Sequence, residues 1–144
     1  MILAVDIGNT NLVVGGSKGE EICFVEGMST EATRTELEYV ISFKNVLEMY
    51  GISIEQLDGG IISSVVPPVT NIVKRSVEKI LNTEVMLIGP GVKTGLNILM
   101  DDPRQVGSDR IVNAVAVVHE YPVPAAIIDM GTATTICVVD EKKN

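Results

Sequence analysis

The sequence predicts an α/β protein built on a mixed β-sheet, and three observations carry this prediction. Short aliphatic runs near the start of the chain are separated by glycine-rich segments, which is typical of hairpins. Longer segments then carry apolar residues at helical spacing, and short apolar runs follow them. Helices between strands are typical of crossover connections, which place later strands parallel to the first. Hairpins and crossovers together indicate a sheet with antiparallel and parallel pairs.

The first three predicted strands follow one another along the chain. Residues 2–5 and 12–14 are apolar and flank Gly8-Asn9-Thr10-Asn11, whose residue types tolerate the backbone angles of a tight turn. A second turn is predicted at residues 15–19, which include three glycines. A third strand is predicted at residues 21–26.

The first predicted helix opens at a capping box. Thr35 and Glu38 have the spacing at which each side chain caps the backbone of the other. Gly51 is predicted to end the helix. Its predicted buried stripe consists of Leu37, Val40, Ile41 and Leu47.

The second predicted helix follows a short strand at residues 61–62. Pro67 and Pro68 cannot continue a strand and suit the first positions of a helix. Its apolar stripe comprises Val69, Ile72, Val73, Val77, Ile80 and Leu81. A strand at residues 85–88 comes next, closed by Gly89-Pro90-Gly91.

The last predicted elements are a helix and a second hairpin. Apolar residues recur at helical spacing over residues 109–119, with His119 near the end, where it suits the helix dipole. The hairpin pairs residues 125–128 with residues 135–139 around a turn at residues 131–134.

The composition excludes several classes of protein. With 144 residues, 46% of them hydrophobic, the chain is long enough for one domain and too apolar for intrinsic disorder. A net charge of −8 without a basic run argues against nucleic-acid and anionic-membrane partners. Cys23 and Cys137 lack a CxxC partner and are expected to be reduced. The first apolar run ends at Asp6 without a basic flank, so no leader is predicted and a cytoplasmic location is expected.

The most informative feature is a repeated glycine turn. Asp6-Ile7-Gly8-Asn9-Thr10 and Asp129-Met130-Gly131-Thr132 each follow an apolar strand and precede another, about one domain length apart. Glycine lets the backbone approach a phosphate, and successive N–H groups can cradle it. The preceding carboxylate can hold a cation. The alternative interpretation is two ordinary hairpin turns whose residues serve geometry alone.

A second candidate site begins at Gly107, where the chain enters a helix. Asp109 could accept a proton from a hydroxyl nucleophile, and Arg110 could bind an anionic substrate bidentately. The alternative for Asp109 is an acid that stabilises the start of the helix. The alternative for Arg110 is a surface ion pair.

Taken together, these motifs resemble those of type III pantothenate kinases. The resemblance is carried by Val5-Asp6-Ile7-Gly8-Asn9-Thr10, Ser63-Ser64-Val65-Val66-Pro67, residues 101–110 and residues 129–135, in family order. The family belongs to the superfamily of acetate and sugar kinases, heat-shock chaperones and actin. It implies a ribonuclease H-like mixed sheet with flanking helices at residues 1–120. Residues 121–144 would be the first hairpin of a second, similar domain.

The resemblance also implies a reaction, the ATP-dependent phosphorylation of pantothenate in the first step of coenzyme A synthesis. It gives Asp109 the role of general base and makes Gly107, Ser108, Asp109 and Arg110 the pantothenate site. The implied nucleotide-binding residues are Asp6, Ile7, Gly8, Asn9, Thr10, Asn11, Leu12, Val13 and Thr132. Asp6 would hold Mg²⁺ through the phosphates, and Asp129 would hold a monovalent cation, K⁺ or NH4⁺. The family is homodimeric.

Two departures from the family pattern stand out. Met100 precedes Asp101-Asp102-Pro103 where the family usually has an aromatic residue. Family members also continue beyond the position of Asn144, so the resemblance implies an N-terminal portion that is not expected to perform the reaction alone. The alternative functions are a non-catalytic transcriptional activator of the same fold and a sugar or acetate kinase. Intact Asp6, Asp109 and Asp129 argue against the first, and the Gly-Ser-Asp-Arg motif argues against the second.

Overall fold

A computed structural model describes residues 1–89 and 91–144, so the predicted turn at Gly89-Pro90-Gly91 includes one residue, Pro90, outside the described residues. The chain divides into two compact units, Met1–Ile88 and Gly89–Asn144. The expected domain division after residue 120 stays a prediction.

A five-stranded sheet, in the order β3-β2-β1-β4-β5, forms the first unit. Its strands are β1 (Ile2–Ile7), β2 (Asn11–Lys18), β3 (Glu21–Ser29), β4 (Gly59–Ser64) and β5 (Met86–Leu87). The first three strands pair antiparallel, whereas β4 pairs parallel with β1, and β5 pairs parallel with β4. The prediction of a mixed sheet is confirmed.

Two helices, α1 (Glu36–Met49) and α2 (Pro67–Leu81), supply the rest of the core of this unit. Alternate residues of β1 are buried, because successive side chains of a strand point to opposite faces. Leu3, Val5 and Ile7 pack in one cluster with apolar residues of both helices. Ser76 of α2 is fully buried and donates a hydrogen bond to the carbonyl of Glu36 at 3.1 Å, which links the two helices.

The capping box of α1 forms as predicted. The backbone N–H of Glu38 donates to the Thr35 hydroxyl at 3.4 Å, and the Thr35 N–H donates to the Glu38 carboxylate at 2.7 Å. Gly51 follows the end of the helix with a φ of 65° and donates to the carbonyl of Glu48 at 3.0 Å. Both predicted ends of the helix are therefore confirmed.

The predicted buried stripe of α1 is wrong in half of its residues. The helix buries Tyr39, Val40, Phe43, Val46 and Leu47. Leu37 and Ile41, which were predicted to be buried, are 61% and 49% exposed. Tyr39 is buried instead because its hydroxyl has a partner there, the carbonyl of Glu31 at 3.0 Å. Its ring stacks against Phe43 with the centroids 6.1 Å apart.

The predicted turn at residues 15–19 is also wrong in its extent. Strand β2 continues to Lys18, and the turn lies at Gly19 and Glu20. Gly16 belongs to the strand, where it pairs with Leu3 of β1 and Phe24 of β3, and the ring of Phe24 leaves no room for a side chain there. A Cβ on Gly16 would lie 2.4 Å from Cε1 of that ring. Gly19 has a φ of 62°, which suits the turn itself.

Helix α2 and the strand after it largely follow the prediction. Pro67 and Pro68 occupy the first positions of the helix, and Asn82 ends it with a left-handed φ of 52°. The whole predicted apolar stripe belongs to the core or packs against it. Strand β5 is shorter than predicted and comprises Met86 and Leu87.

The second unit contains α3 (Ser108–Glu120) and the antiparallel hairpin of β6 (Ala125–Met130) and β7 (Thr134–Val139). The predicted helix and hairpin are therefore confirmed, and α3 contacts both strands. His119 lies in the last turn of α3. Both Cys23 and Cys137 are free thiols. Among the residues that the structure describes, no helix has the length and apolar character needed to cross a membrane.

Candidate active site

The first glycine turn is held by backbone hydrogen bonds on two sides. The Gly8 N–H donates to the Asn11 carbonyl at 3.0 Å, which closes the turn between β1 and β2. Thr30, just after β3, donates through its hydroxyl to the Gly8 carbonyl at 2.7 Å and through its N–H to the Thr10 carbonyl at 2.9 Å. A Cβ on Gly8 would lie only 3.0 Å from the Asn11 carbonyl oxygen. The turn therefore has a close backbone approach that favours glycine.

The residues predicted to bind nucleotide differ in exposure along this segment. The exposed ones are Asp6, Asn9, Thr10, Asn11 and Val13. Ile7 and Leu12 are fully buried in the core. These two residues can therefore contact a ligand only through their backbone atoms.

Parallel pairing of β1 and β4 brings a second element to the same edge of the sheet. Ser64 is the partner of Ile7, and the N–H of Val65 donates to the Ile7 carbonyl at 3.1 Å. The chain then enters α2, where the Ser64 hydroxyl accepts from the Val66 N–H at 3.1 Å and lies 2.7 Å from the Thr70 hydroxyl. The Gly8 turn and the approach to α2 thus share the carboxyl edge of the sheet.

This edge has the donor chemistry of a phosphate site. Backbone N–H groups of a glycine turn can cradle an anion. Helix α2 contributes only its dipole, because Pro67 and Pro68 at its start have no N–H and the Val69 N–H donates to the Val66 carbonyl at 3.0 Å. Asp6 lies in β1, two residues before Gly8, and its carboxylate is the kind of ligand that Mg²⁺ takes together with phosphate oxygens. The residues present therefore fit a nucleotide phosphate with Mg²⁺.

In the second unit, a short helical turn at Pro103–Gln105 precedes the Gly-Ser-Asp-Arg motif. Asp102 caps that turn by accepting from the Arg104 N–H at 3.1 Å and the Gln105 side-chain amide at 3.0 Å. The hydrogen bond from Gln105, followed by those from Arg104, lowers the pKa of Asp102 below its ordinary value. This cap shapes the approach to Gly107.

The motif itself occupies the start of α3. Gly107 is the N-cap, Ser108 is 7% exposed, and Asp109 is half-buried in the first turn. One carboxylate oxygen of Asp109 accepts the Arg110 N–H at 2.8 Å. This contact is the helix-start role expected of an acid at that position. A carboxylate has a second oxygen, so the contact is compatible with proton acceptance.

The second glycine turn is linked to α3 by a side chain that the sequence interpretation missed. Asn113 donates from Nδ2 to Oδ2 of Asp129 at 3.0 Å, and both residues are half-buried. The Gly131 N–H donates to the Ala133 carbonyl at 3.2 Å within the turn, and Thr132 is exposed there. The available signal was the position of Asn113, four residues after Asp109 on the same helix face.

A cavity of about 400 Å³ lies within the second unit. Most of its lining is apolar and comes from residues 96–100, the first half of α3 and strand β7. Arg110 and Met100 both line it. The lining also includes Asn97, Asp140 and Asn144, and Arg110 is its cationic side chain, which can pair with the carboxylate of a small organic acid.

Each unit therefore groups part of the predicted site. The first unit places Asp6 and the Gly8 turn beside the start of α2, and the second places the Gly107–Arg110 motif, Asp129 and Thr132 around α3 and its hairpin. The mixed sheet of the first unit, with its strand order and phosphate-suited turn, is consistent with the actin and ribonuclease H-like class of folds.

Comparison with known proteins defines the family within this class. The chain matches the type III pantothenate kinase family over residues 2–144. It is 48% identical over 142 residues to a type III pantothenate kinase of Brevibacillus brevis, a match that covers 99% of this chain and 56% of the relative. The relatives of the same name in Halalkalibacterium halodurans and Exiguobacterium sp. are 44% and 46% identical over 143 residues, with the same coverage.

The chain therefore belongs to the type III pantothenate kinase family. It spans about half the length of the curated relatives that it matches.

Proposed function

We propose that the protein containing this chain transfers the γ-phosphoryl group of ATP to pantothenate, giving 4'-phosphopantothenate in the first step of coenzyme A biosynthesis. Family membership supports the proposal. The structural observation that carries it is the first turn of α3, where Asp109 is half-buried and Arg110 lines an apolar cavity. No observation on the described residues favours the non-catalytic activator.

The nucleotide half of the proposal rests on the carboxyl edge of the first sheet. The turn from Gly8 to Asn11 would bind the phosphates through backbone N–H groups that follow Gly8, whose own N–H donates to the Asn11 carbonyl, and through the exposed Asn and Thr side chains. Asp6 would hold Mg²⁺, which supplies neutralisation of the phosphate charge when bound. Ile7 and Leu12 would contribute backbone groups, since their side chains are buried. Thr132 would contact ATP from the second turn.

The acceptor half rests on the start of α3. Arg110 would pair with the carboxylate of pantothenate, whose aliphatic part suits the apolar lining of the cavity. Gly107 and Ser108 would complete the substrate site. The primary hydroxyl oxygen of pantothenate would bond to the γ-phosphorus of ATP, and Asp109 would accept the proton of that hydroxyl. The bond from the γ-phosphorus to the bridging oxygen would break at the same time, and ADP would leave.

Further parts of the proposal concern the rest of the protein. Asp129 would hold an activating monovalent cation, K⁺ or NH4⁺. Residues 1–120 would be a first ribonuclease H-like domain and residues 121–144 the start of a second. The protein would act in the cytoplasm as a homodimer, without nucleic-acid or membrane partners.

The decisive experiment replaces Asp109 with Asn in the intact protein. Asparagine keeps a side-chain oxygen for the Arg110 N–H, so we expect an unchanged melting temperature. Turnover with ATP and pantothenate should fall by roughly 10²–10⁴-fold, the usual contribution of a general base. Asp101→Asn, a change at an exposed carboxylate in the preceding loop, is the matched control and should retain activity. An Asp109→Asn protein with normal turnover would refute the role of Asp109 as base.

A further inference from the structure

Asn113 occupies a position between the two halves of the site in the second unit. It lies on α3 one turn after Asp109, so both side chains project from the same face of the helix. Its Nδ2 donates to Oδ2 of Asp129 on β6 at 3.0 Å. One amide group thus connects the helix that carries Asp109 to the strand that leads into the second glycine turn.

The hydrogen bond determines which oxygen of Asp129 faces the turn. With Oδ2 directed to Asn113, Oδ1 lies 3.8 Å from the point that a Cβ on Gly131 would occupy. The carbonyl oxygen of Ala133 lies at the same distance, 3.8 Å, from that point. Two oxygens therefore lie at ordinary contact distance from that position, and oxygen ligands are those that hard cations take.

We propose that Asn113 is a positioning residue that holds the Asp129 carboxylate with Oδ1 toward the space beside Gly131, where the second turn takes a monovalent cation. This inference rests on the proposed function for the cation at Asp129 and adds the group that orients its ligand. Groups that hydrogen-bond a ligating carboxylate fix its orientation, and their loss weakens ion binding. Without the amide, the carboxylate can rotate about its side-chain bonds.

The test replaces Asn113 with Leu, which has a similar size and no donor, in the intact protein. Two potassium titrations are compared with wild type: the rise in melting temperature without substrates, and turnover with ATP and pantothenate. We expect the half-saturating potassium concentration to rise on the order of 10-fold in both titrations. Turnover at saturating potassium should stay close to wild type, so the defect is one of affinity.

Val117→Ala is the matched structural control. Val117 is half-buried one turn further along α3. Its replacement by alanine removes apolar packing contacts of the helix without removing a polar contact. It should lower the melting temperature and leave both potassium constants unchanged. Asn113→Ser retains a shorter donor and should give intermediate constants, which keeps the test informative where the leucine variant folds poorly.

The outcomes separate this inference from the proposed function. If Asn113→Leu has the same half-saturating potassium concentrations as wild type, the positioning role is overturned. It is also overturned if potassium does not raise the melting temperature of the wild-type protein. A protein without pantothenate-dependent turnover refutes the proposed function. In that case the melting-temperature titration still tests Asn113.

Discussion

Replacing Gly8 with Ala tests whether the first glycine turn depends on close backbone approach. The added Cβ would lie 3.0 Å from the Asn11 carbonyl oxygen, whereas ordinary contacts begin near 3.4 Å. The turn would have to open by a few tenths of an ångström. That movement would strain the hydrogen bond from the Gly8 N–H to the same oxygen, and it would strain the two hydrogen bonds from Thr30 as well.

The magnitude follows from two opposing terms. Overpacking at a site that cannot yield freely costs about 1–3 kcal/mol. Alanine also restricts the unfolded chain more than glycine does, which offsets about 0.4–1 kcal/mol of that cost. A net loss of about 1 kcal/mol in the free energy of unfolding lowers the melting temperature of a unit the size of Met1–Ile88 by about 4–8 °C.

Thermal unfolding followed by circular dichroism measures the effect, with Gly27→Ala as the control. Gly27 lies in β3, and no atom of the described residues lies within 4 Å of the position of its Cβ, so its substitution should leave the melting temperature unchanged or raise it. Gly131→Ala, compared in potassium-free buffer, is a second comparison, because its nearest atoms lie at 3.8 Å and the fold of the second turn should tolerate alanine. If Gly8→Ala melts at or above the wild-type temperature, the close-approach argument is wrong.

Two further predictions concern the start of α1. Thr35→Ala removes the capping hydroxyl and should lower the free energy of unfolding by about 1 kcal/mol, whereas Thr35→Ser should be close to wild type in chemical denaturation. The hydrogen bond from Lys79 at 2.9 Å, with the charge of Arg75, lowers the pKa of Glu36 from its ordinary 4.5. Its stabilising contribution is therefore present above pH 4.5 and lost as the pH falls through the lowered folded-state pKa. Glu36→Gln should melt below wild type at pH 7, with the difference shrinking as the pH falls below 4.5; a difference independent of pH would contradict the ion pair.

Signals within a few residues of each other predicted the secondary structure well. The Thr35–Glu38 capping box, the two prolines at the start of α2 and the glycine turns each act through short-range chemistry. The confirmed helix starts and hairpins are of this kind. Family resemblance, too, depended on motifs whose residues are contiguous in the sequence, and the comparisons confirmed it.

Packing choices were harder to predict because α1 has apolar residues on most of its circumference. Leu37 and Ile41 fit a helical stripe as well as Tyr39 and Phe43 do. The structure buries the second pair: the Tyr39 hydroxyl donates to the Glu31 carbonyl in the loop after β3, and its ring stacks against Phe43 in the core. The glycines around Gly16 likewise predicted a turn. In the structure, Gly16 lies in β2, and the ring of Phe24 on the neighbouring strand occupies the place of its side chain.

The class of fold, the family, the two glycine turns and the acidic and basic residues near them could all be predicted from the order of residues. Which of these groups meet depends on tertiary packing. Parallel pairing of β1 with β4 brings Ser64 and the start of α2 to the Gly8 turn, and the packing of α3 on its hairpin brings Asn113 to Asp129. Such contacts join segments distant along the chain, and their free energy comes from sheet pairing and burial that no local stretch of sequence encodes.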